Sequence, residues 1–326
     1  MSAQPDRPPR LLEQISWCCR RRHYSPRTAE AYVYWARRYI LFHGKRHPTL
    51  LGQKDVQRFL DSLVATNVAA LTHSQALSAV VFLYKEVLGT PLGWLDDLVR
   101  PKRPRCLPTV LDRDEVRQVL TAMQGMPALM ARLIYGSGLR IHECLELRVK
   151  DLQWSQHAIL VRSGKGGKDR MTLLPHQLVP ALRMQVRDVA IDLKGRLLRG
   201  TGCAPMPEQL ARKYPGAARS LAWQFVFPAS SCRWNPELQR WERDHCSASH
   251  LQREFRFAVR RANVLQHATV HTLRHAFATH LLQGGTDIRT VQELLGHTKL
   301  DTTMIYTHVA DVHNSVRSPL DALAVN

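Results

Sequence analysis

Six side chains in the second part of the chain could share one chemistry. His271-Thr272-Leu273-Arg274-His275 is followed by Leu294-Leu295-Gly296-His297, and Tyr306 comes nine residues after His297. Upstream, Gly138-Leu139-Arg140 supplies a second arginine, and Lys165 lies in the run Ser163-Gly164-Lys165-Gly166-Gly167-Lys168-Asp169. On a helix, residues three apart share a face, so His271 and Arg274 can reach one phosphate. The inventory is two guanidiniums, two imidazoles, one ammonium and one phenol, with no matching set of acidic metal ligands. It suits metal-free attack on a phosphodiester. Tyr306 would attack phosphorus in line and form a covalent phosphotyrosine. Arg140 and Arg274 would hold the non-bridging oxygens through forked hydrogen bonds as charge builds. Lys165 could protonate the leaving 5′-oxygen, and His271 could assist proton transfer at the nucleophile. Lys168 shares the Gly-rich tip, and either lysine could reach a leaving group.

Taken singly, each residue has a plainer reading: a lone tyrosine as core or surface, a lone arginine as half of a surface ion pair. Glu143, three residues after Arg140, reads as a group that orients Arg140 or nearby backbone. His271 and His275 are four apart, but no Glu follows His271 as in a His-Glu-x-x-His zinc helix, so no metal and no cofactor are expected. The Gly-rich tip is a poor nucleotide-binding loop, because Lys168 precedes Asp169 and strands flank it on both sides.

These residues need elements to hold them. Ser25-Pro26 is a helix start, a hydroxyl cap followed by proline at the first helical position. Ala29, Val33, Ala36 and Ile40 follow at helical spacing and Gly44 can end the helix. A second amphipathic stretch carries Val56, Phe59, Leu60 and Leu63, and a third runs from near Thr72 to Gly89. With a weaker helix over 11–20, the first hundred residues make a small four-helix bundle. Arg100–Pro108 holds three prolines and four cations (Arg100, Lys102, Arg103, Arg105), and reads as a basic linker that either hinges in solvent or tracks a phosphate backbone. Beyond it, helices are expected over 112–123 and 127–135, near Arg140, and over 176–199, 247–262, 271–282 and 287–295. Residues 158–162 and 171–174 read as strands around the Gly-rich tip. The fold class is therefore mainly α with a small β component.

Lys plus Arg number 46 against 27 Asp plus Glu, a net +19 with a pI near 10.2. Residues 1–105 carry 17 against 8, or +9, leaving 29 against 19, or +10, for residues 106–326. Both parts are basic, which suits a protein that grips nucleic acid from two sides. No apolar run reaches the ~18 residues of a membrane span, and no signal core follows Arg7 and Arg10, so a cytoplasmic protein is expected. The seven cysteines (18, 19, 106, 144, 203, 232 and 246) contain no Cys-x-x-Cys pair and read as reduced thiols.

Gly-Leu-Arg, a Lys on a hairpin, His-x-x-Arg-His, then Leu-Gly-His with a Tyr nine residues on: this order resembles the tyrosine recombinase (phage integrase) signature over nearly the whole chain. The resemblance implies Tyr306 as nucleophile, with Arg140, Lys165, His271, Arg274 and His297 assembling the site; the family's Gly-Lys-Gly pattern falls on Lys165. It implies a helical core-binding (SAM-like) domain over 1–103 and an α/β catalytic domain over 104–326, closing on DNA as a C-shaped clamp. It also implies a homotetramer on DNA in the bacterial cytoplasm, at the nucleoid. The segment after Tyr306, with Leu320 and Leu323, would dock on a neighbouring subunit.

The gap between Lys165 and His271 points to one branch. It holds Leu210-Ala211-Arg212-Lys213-Tyr214-Pro215, Trp223-Gln224-Phe225-Val226-Phe227-Pro228 and Arg240-Trp241-Glu242-Arg243-Asp244-His245. This resembles the additional segment of integron integrases, placed here at about 190–245, which helps recognise bases protruding from folded single-stranded cassette sites (attC) recombined with attC or attI. Trp223, Pro236 and His245 fall where that family places such contacts, and Lys102, Arg103, Arg105 and Lys168 are the further DNA contacts expected. The plainer alternative for Trp223 and Phe225 is a core strand. The family's His-His pair is Asp244-His245 here, and a carboxylate would repel phosphate. An ordinary Xer- or phage-type recombinase on duplex sites, and a non-catalytic DNA-binding protein, are the alternatives.

Overall fold

The computed structural model describes residues 10–66, 68–90, 109–162, 169–300 and 302–307. Lys102, Arg103, Arg105, Lys165 and Lys168 lie outside the described residues, as do Leu320 and Leu323. The chain divides into two compact units, residues 1–106 and 107–326.

The first unit contains α1 (Leu11–Arg21), α2 (Pro26–Phe42), α3 (Gln53–Ala65) and α4 (Ala70–Phe82). The Ser25 hydroxyl accepts from the Thr28 amide at 3.1 Å with Pro26 in the first turn, so α2 starts where its cap residues dictate. Its core joins Trp35, Tyr39, Phe59, Leu63 and Val80 from α2, α3 and α4. The third amphipathic stretch does not run as one regular helix to Gly89. After Phe82 it widens into a π-helical turn, Leu83–Val87, which carries Tyr84 into the core. There its hydroxyl lies 2.9 Å from that of Tyr39 and 2.9 Å from the Pro48 carbonyl oxygen. Buried polar groups need such partners, and the extra backbone residue in the turn lets Tyr84 find them.

The second unit holds a three-stranded antiparallel sheet set among helices. Its elements are α5 (Arg113–Thr121), α6 (Gly125–Ser137), α7 (Ile141–Leu145), β1 (Leu152–Gln153), β2 (Ala158–Val161), β3 (Arg170–Leu173), α8 (Val179–Leu198), α9 (Glu208–Lys213), β4 (Arg233–Asn235), β5 (Arg240–Glu242), α10 (Ala248–Arg261), α11 (Val270–Gln283) and α12 (Ile288–Leu295). Residues 302–307 are helical. Strand β2 pairs with β3 in the register Ile159 to Thr172 and Val161 to Arg170. Helix α11 packs against α5, α6, α10 and α12 and buries most of its length, Arg274 and His280 included, among Leu273, Ala276, Phe277 and Ala278. The stretch after α8 is folded onto the unit. Arg148 donates to the carbonyls of Trp223 (2.5 Å) and Pro205 (2.8 Å), and Gln185 donates to that of Val226 at 2.9 Å. Among the described residues no helix is long and apolar enough to cross a membrane.

Candidate active site

Glu143 organises the floor of the site. As the third residue of α7 it accepts the Arg140 amide at 2.8 Å, and its other oxygen accepts the Arg140 guanidinium at 2.7 Å. The Arg170 guanidinium forks onto the same carboxylate at 2.8 and 2.6 Å, and a nitrogen of Arg274 lies 3.7 Å away. The site's desolvation works against the charge on Glu143. The arginine hydrogen bonds and charges win, holding its carboxyl down at about 2. Three guanidiniums therefore face one carboxylate, leaving the cluster two positive charges in excess.

Arg274, on α11, is 1% exposed. Its nitrogens donate to the carbonyls of Gly138 (2.5 Å) and Leu295 (2.6 Å) and lie 3.3 Å from Nε2 of His297. Both carbonyls stand beside left-handed glycines that end helices. Gly138 ends α6 at φ +64°, and a Cβ there would meet the Phe277 ring at 2.5 Å. Gly296 ends α12 at φ +63°, and a Cβ there would meet Arg170 at 2.6 Å. Only glycine satisfies both the backbone and the close approach. Burial and the nearby Arg140 cation both disfavour the charge on Arg274, with Glu143 opposing them. A bound phosphate would relieve that imbalance.

Tyr306 lies 4% exposed among Phe277, Ala278, Val291 and Leu295. Its hydroxyl is 2.8 Å from Nδ1 of His275, one turn after His271 on α11. Burial pushes the phenol up, while Arg274 and Arg140 pull it down. His275 is drawn down to about 4 by burial, His271 and Arg274. His297 is drawn to about 3 by burial and by Arg274, Arg140 and Arg170. Both rings are neutral at pH 7. For His297 this agrees with its bonds: Nε2 accepts from Arg274, leaving Nδ1–H for the Thr303 hydroxyl at 2.9 Å. The His297 ring lies parallel to that of Tyr306, centroids 6.3 Å apart. His271 opens to solvent with its ring edge-on to His275 at 4.5 Å, and desolvation with Arg274 and Arg140 lowers it.

The structure thus brings Arg140, His271, Arg274, His297 and Tyr306 to one place, beside Arg170 of β3, while Lys165 lies outside the described residues. Two further participants were not picked out from the sequence. Arg170 had no motif around it, and His275 was weighed only as half of a metal pair, although its spacing from His271 puts both on one face. Among the described residues no group of three or more His, Cys, Asp or Glu side chains could hold a metal ion.

The positions expected to meet extruded bases differ in how open they are. Trp223 sits in a short 3-10 turn, half-buried, with the Lys150 ammonium 3.1 Å from its ring centroid. One face of the indole is therefore taken, and Trp223 is not in a strand, whereas Phe225 is buried and forms an isolated antiparallel bridge with Arg148. Pro236 is exposed in the turn between β4 and β5. His245 is engaged internally: its Nδ1 lies 2.8 Å from the Cys246 carbonyl oxygen and its ring is edge-on to Phe225. Asp244 accepts the His245 amide at 2.7 Å. On the β4–β5 hairpin, Trp234 and Trp241 pair edge to face with centroids 5.6 Å apart, each about two-fifths exposed.

Comparison with known proteins shows the family. Residues 109–313 match the phage integrase family, and residues 11–94 match the phage integrase N-terminal SAM-like domain. An integrase/recombinase of Escherichia coli is 48% identical over 322 residues, covering 98% of this chain and 95% of the relative. The tyrosine recombinase XerD of Caulobacter vibrioides is 34% identical over 271 residues, covering 79% and 77%. The fold is similar to that of a lambda integrase(75-356) dimer bound to a COC' core site, at TM-score 0.61 and 15% identity, covering 94% of this chain and 96% of that one. The chain belongs to the phage integrase family, the tyrosine site-specific recombinases.

Proposed function

We propose that this protein cuts and rejoins DNA without a metal, with Tyr306 forming a 3′-phosphotyrosyl intermediate. The observation that carries the reading is the buried Tyr306 phenol standing beside a cluster of three arginines with two uncompensated positive charges. Arg140 and Arg274 hold the non-bridging oxygens, His271 and His297 lie against the same phosphate, and Lys165 protonates the leaving 5′-oxygen. The covalent bond conserves the energy of the broken ester for rejoining.

The substrates proposed are gene-cassette attachment sites, attC and attI, including folded single-stranded hairpins, bound by a homotetramer assembled on DNA. Support comes from the segment after α8. It places the exposed Pro236 turn and the half-open rings of Trp234 and Trp241 on one hairpin, where bases could stack at about 1–3 kcal/mol each. Trp223, with one face covered by Lys150, offers one face at most. Lys102, Arg103, Arg105 and Lys168 supply phosphate contacts. The likeness to XerD supports a second reading, action on duplex sites.

Covalent trapping from a pool of labelled cassette hairpins and duplex sites, without added metal, tests both. A denaturant-resistant adduct with wild type on hairpins, absent with Tyr306→Phe, is expected, with noncovalent binding retained. Adducts on duplexes alone would move the substrate to the second reading. Adducts persisting with Tyr306→Phe would remove Tyr306 as nucleophile.

A further inference from the structure

The geometry points to His275 as the group that takes the phenolic proton of Tyr306 during strand cleavage and returns it on rejoining. The inference rests on Tyr306 being the nucleophile. From spacing alone His271 is the natural proton acceptor, because it shares a helix face with Arg274. In the structure it is His275 that meets the reacting oxygen, with Nδ1 2.8 Å from the Tyr306 hydroxyl. A general base must lie within about 2.6–3.2 Å of the proton it abstracts.

The direction of that hydrogen bond follows from burial. With Tyr306 4% exposed, its O–H needs a protein acceptor, and Nδ1 of His275 is the partner given by the described residues. If Nδ1 carried the proton, it would donate to the phenol oxygen and leave the phenolic O–H buried and unmatched, which buried polar groups avoid. His275 is neutral, so an unprotonated Nδ1 requires the tautomer with its proton on Nε2. His271 stands edge-on to the same ring, open to solvent, where the phosphate would approach.

The step balances without another reactant. The phenol oxygen bonds to phosphorus, its proton moves to Nδ1, and the bond from phosphorus to the 5′-oxygen breaks. Lys165 gives the departing oxygen its proton in the proposed scheme. On rejoining, the 5′-hydroxyl loses its proton to that lysine, and the His275 imidazolium reprotonates Tyr306 as it leaves. A ring so readily deprotonated is a weak base towards a free phenol. Two changes in the reacting complex favour transfer. The phenol oxygen becomes strongly acidic as it bonds to phosphorus. The scissile phosphate also sets negative charge against Arg274, which together with burial keeps His275 neutral.

Two experiments test this. The first needs no DNA: nitrogen-15 spectra of the imidazoles, with His275 assigned through His275→Asn, report the tautomer directly. An Nε2–H ring at neutral pH whose signal moves in Tyr306→Phe is expected; an Nδ1–H ring would overturn the assignment. The second measures single-turnover cleavage on whichever DNA the wild type traps. Asparagine places an amide where Nδ1 stood, so His275→Asn keeps a hydrogen-bonding group but no base. Loss of about 10²–10⁴-fold in rate, with DNA affinity and melting temperature unchanged, is expected. The loss should persist on a 5′-bridging phosphorothiolate, whose sulfur leaves without a proton. Asparagine cleaving within a few-fold of wild type, or full rescue by the phosphorothiolate, would each sink the proposal. Tyr306→Phe run in parallel separates this from failure of the nucleophile assignment, since adducts in that variant would count against Tyr306 itself.

Discussion

Glu143 shows how one side chain can set the electrostatics of a site. It collects Arg140, Arg170 and the edge of Arg274, while burial, helped by Arg274 throughout and by Arg140 and Arg170 at His297, pushes the nearby imidazoles to the neutral form. The groups respond to acid in the same direction. Glu143, at about 2 instead of 4.5, contributes stability that is present above its ordinary value and lost as pH falls towards 2. His275 at about 4 and His297 at about 3 lie below their ordinary 6.5. Between those limits the unfolded chain binds protons that the folded chain refuses, so stability drops as pH falls from 6.5. Melting temperature should therefore fall steadily below about pH 7, and fall again above about pH 8–9, where the unfolded chain releases thiol and phenol protons that burial holds on Cys19, Cys144, Cys246 and the core tyrosines. In His297→Gln the fall between pH 6.5 and 4 should be shallower, whatever the absolute stability. Equal slopes by calorimetry would remove His297 as a source.

At the scale of elements, helix ends do much of the positioning. α6 stops at Gly138 and α12 at Gly296, and the last carbonyls of those turns face Arg274. Helix C-termini carry partial negative charge, which helps fix a buried guanidinium. Gly138→Ala is expected to cost about 2–5 kcal/mol, from left-handed strain and from the clash with Phe277 in a packed core. It should also reduce cleavage beyond its effect on folding, because the Gly138 carbonyl is a ligand of Arg274. Denaturant unfolding read beside single-turnover cleavage checks both; loss of stability with an unchanged rate would show that Arg274 holds its place without that carbonyl.

For the whole molecule, two units with separate cores share the positive charge, +9 in residues 1–105 and +10 in residues 106–326. Residues 107–326 alone should unfold cooperatively, having a core of their own. Their affinity for DNA should fall less steeply with salt than that of the full chain, because fewer phosphates are neutralised and fewer counterions released. Titrations on one labelled duplex at several salt concentrations give both slopes. Equal slopes would mean that residues 1–106 contribute no phosphate contacts.

Much of this protein was legible along the chain. Helix caps such as Ser25-Pro26, the apolar spacing of α2 and α3 and the antiparallel pairing of β2 with β3 are local signals, carried by neighbours within about a turn or a hairpin. Glu143 as the orienting partner of Arg140 was readable for the same reason, since three residues separate them. The π-helical turn after Phe82 was not, because Tyr84 is drawn inward by partners at Tyr39 and Pro48. Nor was Arg170, 27 residues from Glu143, or the covering of Trp223 by Lys150. The choice between His271 and His275 as partner of Tyr306 was also left to tertiary packing. Both histidines share one helix face, and only the docking of residues 302–307 against α11 brings the hydroxyl to one of them. Residue types and spacing determined which chemistry was available; packing between distant segments decided which atoms meet, because hydrogen bonds across tens of residues depend on geometry that no local pattern encodes.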